Sequence, residues 1–214
     1  MNEKTNCILE DLIKRYPVLI SSKSDIEEAY KVLRKSFSQG NKLLIAGNGG
    51  SAADSEHMVG ELMKGFVKER KITKEFQNAL MKVDKEVGFE LSEKLQQGLP
   101  AIALVGHSSL TTAYLNDVDP MLGFAQQVNG YGNKGDIFFG ISTSGNAKNI
   151  KYASVVAKAK GMQVIGLTGK DGGELKNIAD VSIVVDEKET YKIQELHLPV
   201  YHVLCLMLEE RFFE

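Results

Sequence analysis

His57 and Glu61 lie four residues apart in a stretch, SAADSEHMVGELM, that reads as helix. That spacing puts an imidazole and a carboxylate on one face. Such a pair can act as acid and base, hold a metal, or form a surface ion pair. Just before it, the apolar run 43–46 stops at Gly47-Asn48-Gly49-Gly50. A short apolar run bounded by glycine predicts a buried parallel strand. Ser51 is placed as the N-cap of the next helix, whose first free N–H groups suit an anion. A second turn of this kind, Ser142-Thr143-Ser144-Gly145-Asn146, joins an apolar run to a helix over 147–160. Its hydroxyls and amides suit a phosphate, or simply cap the helix. It lacks the lysine of a P-loop, so nucleoside triphosphate hydrolysis is not indicated. GNGGS is not GxGxxG, and no acidic residue ends the second strand to hold a ribose, which argues against a dinucleotide. Gln194 and His202 ride the final helix eight residues apart, about 80° round its axis, so one broad face holds both. His197 lies about 140° from His202 and so is not expected to act with it. For His202 alone, a satisfied interior histidine is the competing reading.

The elements that must position these groups alternate. Strands are predicted at 42–46, 101–105, 136–141, 163–167 and 181–185, with helices between them. Alternation at this spacing predicts an α/β fold: a doubly wound, five-stranded parallel sheet flanked by helices. Ligands then bind beyond the carboxyl ends of the strands. Three strands end there in Gly/Ser/Thr-rich turns: GNGGS, STSGN and TGKDGG. Two amphipathic helices, 3–15 and 24–39, precede the sheet as an N-terminal pair within residues 1–40. Ser24 and Glu27 have capping-box spacing for the second, and Gly40 is placed to end it. The pair must cover a sheet face or meet another subunit, and the pattern favours a subunit contact. Residues 67–99 are highly charged, helical around 71–83 and 87–97, and read as a solvated helical insertion in a single domain spanning 1–214. Asn116 to Pro120 reads as a turn, and a long helix over 190–213 closes the chain.

With a net charge of −2 and 25% charged residues, nothing draws the chain to nucleic acid or to an anionic membrane. No apolar run approaches the ~20 residues a span needs, and the first residues read as an amphipathic helix rather than a signal peptide. A cytoplasmic setting is therefore expected. Cys7 and Cys205 give no disulfide framework, and both are expected as small buried hydrophobes.

Taken in order, GNGGS, His57, Glu61, STSGN, TGKDGG and QELHLPVYH resemble the phosphoheptose isomerases of the sugar isomerase (SIS) domain family, from about residue 20 to the end apart from 67–99. The resemblance implies a flavodoxin-like SIS fold, a homotetramer with sites at subunit boundaries, and aldose–ketose isomerisation of sedoheptulose 7-phosphate. It implies that Ser142, Thr143 and Ser144 hold the phosphate. Asn48, Gly49, Gly50, Ser51, Asn116, Asp117, Glu61 and Gln194 would meet the rest of the sugar. Glu61 and His202 match the acid–base pair. His57, Glu61, Gln194 and His202 match the zinc ligands of some members. Three positions depart from the pattern: Ala147 replaces a frequent serine, Gly65 a usual arginine, and 67–99 is longer than the usual connection. Isomerisation of another phosphosugar, or a non-catalytic SIS protein binding a sugar phosphate or a protein partner, are the alternative functions.

Overall fold

The computed structural model describes residues 2–213. Five parallel strands run in the order β2-β1-β3-β4-β5. They are β1 (Leu43–Ala46), β2 (Ala101–Ala103), β3 (Ile137–Ser142), β4 (Gln163–Thr168) and β5 (Val181–Val184). Side chains alternate across a strand, so each strand feeds two cores. Leu43 and Ile45 join a core with Phe139, Leu167 and Val200, whereas Leu44 and Ala46 join one with Phe138, Ile150 and Val164. Both faces are thus covered, which is why the strands read as continuous apolar runs.

The first core is packed by α1 (Glu3–Arg15), α2 (Lys23–Ser38), α3 (Gly50–Met63) and α10 (Thr190–Phe212). The second is packed by α7 (Gly123–Tyr131), α8 (Lys148–Ala159) and the short α9 (Gly173–Ile178). The apolar stripes of α1 and α2 are spent inside the chain, with Leu9, Leu12, Ile26 and Leu33 fully buried. The N-terminal pair therefore covers a sheet face, and the subunit contact favoured from sequence is not needed to bury it. The capping box does not form. A 3-10 turn, Pro17–Ser22, leads directly into α2 at Lys23, and Ser22 donates its hydroxyl to the Val184 carbonyl instead. Cys205 is buried as expected, but Cys7 is exposed on the outer side of α1.

Residues between α3 and β2 form a helical hairpin, α4 (Lys74–Val83) and α5 (Lys85–Lys94). It stands off the sheet: α4 buries no residue at all. α6 (Ser108–Asp117) runs further than expected, so Asn116 and Asp117 end a helix rather than open a turn. Among the described residues no helix is long and apolar enough to cross a membrane.

His197 faces away from His202 and is fully buried in α10. Burial pushes its imidazole from 6.5 down to about 4, with a smaller upward pull from the Thr168 backbone. The folded state therefore refuses a proton that the unfolded chain accepts. Above pH 6.5 both forms are neutral and nothing is lost. Between about pH 6.5 and 4 stability falls as the pH drops, by on the order of 3 kcal/mol in all. Urea midpoints measured from pH 7.5 to 4.5 should show this slope, and His197→Leu should flatten it.

Candidate active site

The strand order reverses between β1 and β3, the place where such folds open a crevice. The turns after those two strands meet there. At the first, Gly49 takes φ +56°, a region open to glycine at little cost, and serves as the N-cap of α3. Ser51 is not the cap. It lies buried within the first turn, where its carbonyl accepts the Ser55 hydroxyl. At the second, β3 runs into Ser142, Gly145 N–H donates back to the Ser142 carbonyl, and α8 starts after Ala147, which has no side chain to cap it, with the Ile150 N–H alone donating to the Asn149 side chain. A hollow of about 350 Å³ lies between the turns. Asn48, Gly49, Gly50, Ser51, Ser142, Thr143, Ser144 and Gln194 line it, together with Ala147 and Thr190. Hydroxyls and uncapped amides on one wall and an amide side chain on the other suit a phosphorylated polyol. The third glycine-rich turn does not line the hollow. TGKDGG braces STSGN from behind: Gly169 N–H donates to the Thr143 carbonyl and Leu175 N–H to the Gly145 carbonyl.

Gln194 reaches the first turn so closely that a Cβ on Gly50 would lie 2.6 Å from its Nε2. One to three turns along α3 and α10 lie the ionisable groups. Glu61, buried, has Oε1 3.3 Å from His57 Nε2 and Oε2 3.2 Å from Lys64 Nζ. The His57 and His202 rings stand edge to face, 4.9 Å between centroids. His202 Nε2 is buried with no hydrogen-bond partner. Burial, helped by the neighbouring His57, pushes the His202 imidazole below its ordinary value, so it is neutral near pH 7. A neutral imidazole beside a buried carboxylate can hand protons in both directions.

Known proteins share this sequence and fold. The SIS domain signature matches residues 88–169, which contain the STSGN turn. The phosphoheptose isomerase of Nitratiruptor sp. is 41% identical over 171 residues, covering 80% of this chain and 78% of that protein. That of Helicobacter hepaticus is 38% identical over 184 residues, 86% of this chain and 81% of that protein. The chain belongs to the phosphoheptose isomerase family. A solved phosphoheptose isomerase from Francisella tularensis superposes with a TM-score of 0.75 at 30% identity, covering 98% of this chain and all of that one. One from Neisseria gonorrhoeae gives 0.68 at 29% identity, covering 94% and 98%. Membership in the phosphoheptose isomerase family makes the protein an enzyme, a phosphosugar isomerase in class.

Within this family member, most of the residues singled out from sequence converge. Asn116 and Asp117 do not: they are exposed at the end of α6, bonded to each other, and outside the hollow. Sequence reasoning missed Thr190 on the cavity wall and Lys64 beside Glu61. It also missed Asp54 and Tyr201. The Tyr201 hydroxyl sits 2.9 Å from His57 Nδ1 and 3.3 Å from Asp54 Oδ1. Burial pushes the Asp54 carboxyl up, and burial with Asp54 nearby does the same to the Tyr201 phenol. Asp54 had a signal, since it sits three residues before His57 on the same helix face. Tyr201 had none, because an aromatic in an apolar helix reads as core.

Among the described residues no three His, Cys, Asp or Glu form a metal cage by themselves. A metal here would depend on the Gln194 amide as a further donor. The donor types nonetheless fit: His57 Nε2 and a carboxylate oxygen face each other at 3.3 Å, and the buried His202 Nε2 lacks a partner.

Proposed function

We propose that the enzyme interconverts sedoheptulose 7-phosphate and glycero-manno-heptose 7-phosphate through an enediol. The observation that carries this is the junction of two anion-suited turns with a His–Glu–His cluster, His57 and Glu61 on the helix that one of those turns starts and His202 on α10 beside it. Ser142, Thr143 and Ser144 hold the phosphate, and Asn48 to Ser51 with Gln194 hold the sugar. Phosphate binding at a distance from the reacting carbons supplies positioning energy. Glu61 takes the proton from the carbon next to the carbonyl, and returns it to the neighbouring carbon. His202, neutral, serves the two oxygens, donating to one as the other gives up its hydrogen. His57, Glu61, Gln194 and His202 would hold a zinc ion. When bound it would polarise the carbonyl. The resemblance also implies a homotetramer, in which Asn116 and Asp117, apart from this chain's own hollow, would meet a neighbour's sugar. Ala147 on the cavity wall removes one hydroxyl from the phosphate side and is the observation that favours a different phosphosugar as second reading.

The test is incubation with sedoheptulose 7-phosphate in deuterium oxide, with and without zinc, followed by NMR. An aldose signal carrying deuterium at C2 supports the enediol route. Turnover of another phosphosugar in its place, with sedoheptulose 7-phosphate untouched, supports the second reading. Binding without turnover of any phosphosugar, by folded protein with zinc present, overturns the catalytic assignment.

A further inference from the structure

Where α3 packs on α10, one hydroxyl bridges the two helices, that of Tyr201, a fully buried residue. It touches two polar atoms of α3, His57 Nδ1 at 2.9 Å and Asp54 Oδ1 at 3.3 Å. A phenol has one hydrogen to give and a carboxylate has none. The hydrogen therefore goes to Asp54, and the phenol oxygen is left as an acceptor. The contact with His57 is then a hydrogen bond only if Nδ1 carries the hydrogen. A neutral imidazole holds one N–H, so Nε2 keeps a bare lone pair. That nitrogen is the one 3.3 Å from Glu61 Oε1. Two acceptors thus face each other at a distance that calls for a cation between them. The unpartnered His202 Nε2 lies in the adjoining ring, edge-on to both His57 and Tyr201.

We infer that Tyr201 is a positioning residue which, anchored by Asp54, locks His57 in its Nδ1–H form and so aims the Nε2 lone pair, with Glu61, at a divalent cation. The inference rests on the reading of His57 and Glu61 as metal ligands. It goes further in naming what orients the exposed ligand: a buried phenol on the opposite helix. Without that hydroxyl, His57 has freedom to turn, since nearly half of its side chain is open to solvent. Outer groups that fix a ligating histidine are commonly worth 10–100-fold in metal affinity.

The experiment compares wild type, Tyr201→Phe and Asp54→Asn. Phenylalanine keeps the ring and its packing, and circular dichroism checks that each variant is folded. Long-range nitrogen–proton NMR on metal-free, 15N-labelled protein reads the tautomer, with His57 assigned by loss of its signal in His57→Gln. Zinc affinity is read separately by competition with a chromophoric chelator. The expected result is a protonated Nδ1 and bare Nε2 in wild type, loss of that bias in Tyr201→Phe, and zinc binding weakened about 10–100-fold. A wild-type His57 with hydrogen on Nε2, or on both nitrogens, overturns the inference. So does a Tyr201→Phe protein that binds zinc within twofold of wild type. A tautomer lock present in wild type and lost in Tyr201→Phe, in a protein that takes up no zinc, upholds the role of Tyr201 and sinks only the metal reading.

Discussion

Glu61→Gln should lower kcat by about 10²–10⁴-fold while phosphosugar binding survives nearly intact. The side chain keeps its size and still fills its buried place at the end of α3. It loses the basicity that removes a carbon-bound proton, and Lys64, which donates to the Glu61 carboxylate, offers no base in its place. The hollow proposed for the phosphate lies at the start of α3, more than two turns from Glu61, so calorimetric titration with the sugar phosphate should give an affinity within a few-fold of wild type. Turnover within tenfold of wild type would remove Glu61 from the proton transfer. Loss of binding in parallel with turnover would instead make it a substrate anchor.

The second large effect is on stability and comes from a pair far from solvent. Arg70 and Glu209 have fully buried side chains 2.8 Å apart. Arg70 also donates to the carbonyls of Glu61 at 3.0 Å and Leu62 at 2.8 Å, closing the end of α3, and stacks on the Phe213 ring. Glu209 accepts in addition from the backbone N–H groups of Phe66, Val67 and Lys68. Burial alone would raise the Glu209 carboxyl. The Phe66 and Val67 amides and Arg70 outweigh it and hold the group below its ordinary value. Glu209 is therefore charged, and removing its partner leaves a buried anion and two open helix carbonyls. Arg70→Met should cost roughly 3–5 kcal/mol. For a chain of this length that lowers the thermal midpoint by roughly 6–20 °C. Urea denaturation gives the free energy directly. A loss below about 1 kcal/mol would mean that water reaches the pair. Because Glu61 is one of the two residues whose carbonyls Arg70 caps, kcat should fall as well, at temperatures where the variant is still folded.

How far the sequence carries is clearest at these residues. The alternation of apolar runs and glycine-rich turns was enough for the sheet and its parallel sense, because both-sided burial and strand-to-helix turns leave local marks. Arg70 left none. It lies in KERK, inside a run read as solvated, and only the packing of α10 against the end of α3 takes its guanidinium out of water. Ser51 misled for a related reason: serine is a good N-cap, but the glycine two residues earlier makes the turn itself, so the helix begins sooner and the hydroxyl falls inside. Cys7 sits in an apolar pattern yet faces outward, since the stripe of α1 is narrower than its composition suggests. Asn116 and Asp117 were placed by resemblance, and one subunit shows them on a helix end apart from the hollow.

The α4–α5 hairpin follows its own accounting. Its helices press on each other, with Gly88 set against the Leu80 backbone, while Phe76, Val83, Val87 and Phe89 stay exposed. At its root the Lys71–Gln96 bridge, with the Gln97 side chain donating to the Lys71 carbonyl, ties its two ends. Arg70 sits at that root and is anchored independently of anything beyond it. A segment that buries so little is expected to exchange its amide hydrogens well before the sheet does. Its length and surface can change without moving the end of α3, because Arg70 holds that end from the inner side of the hairpin's root.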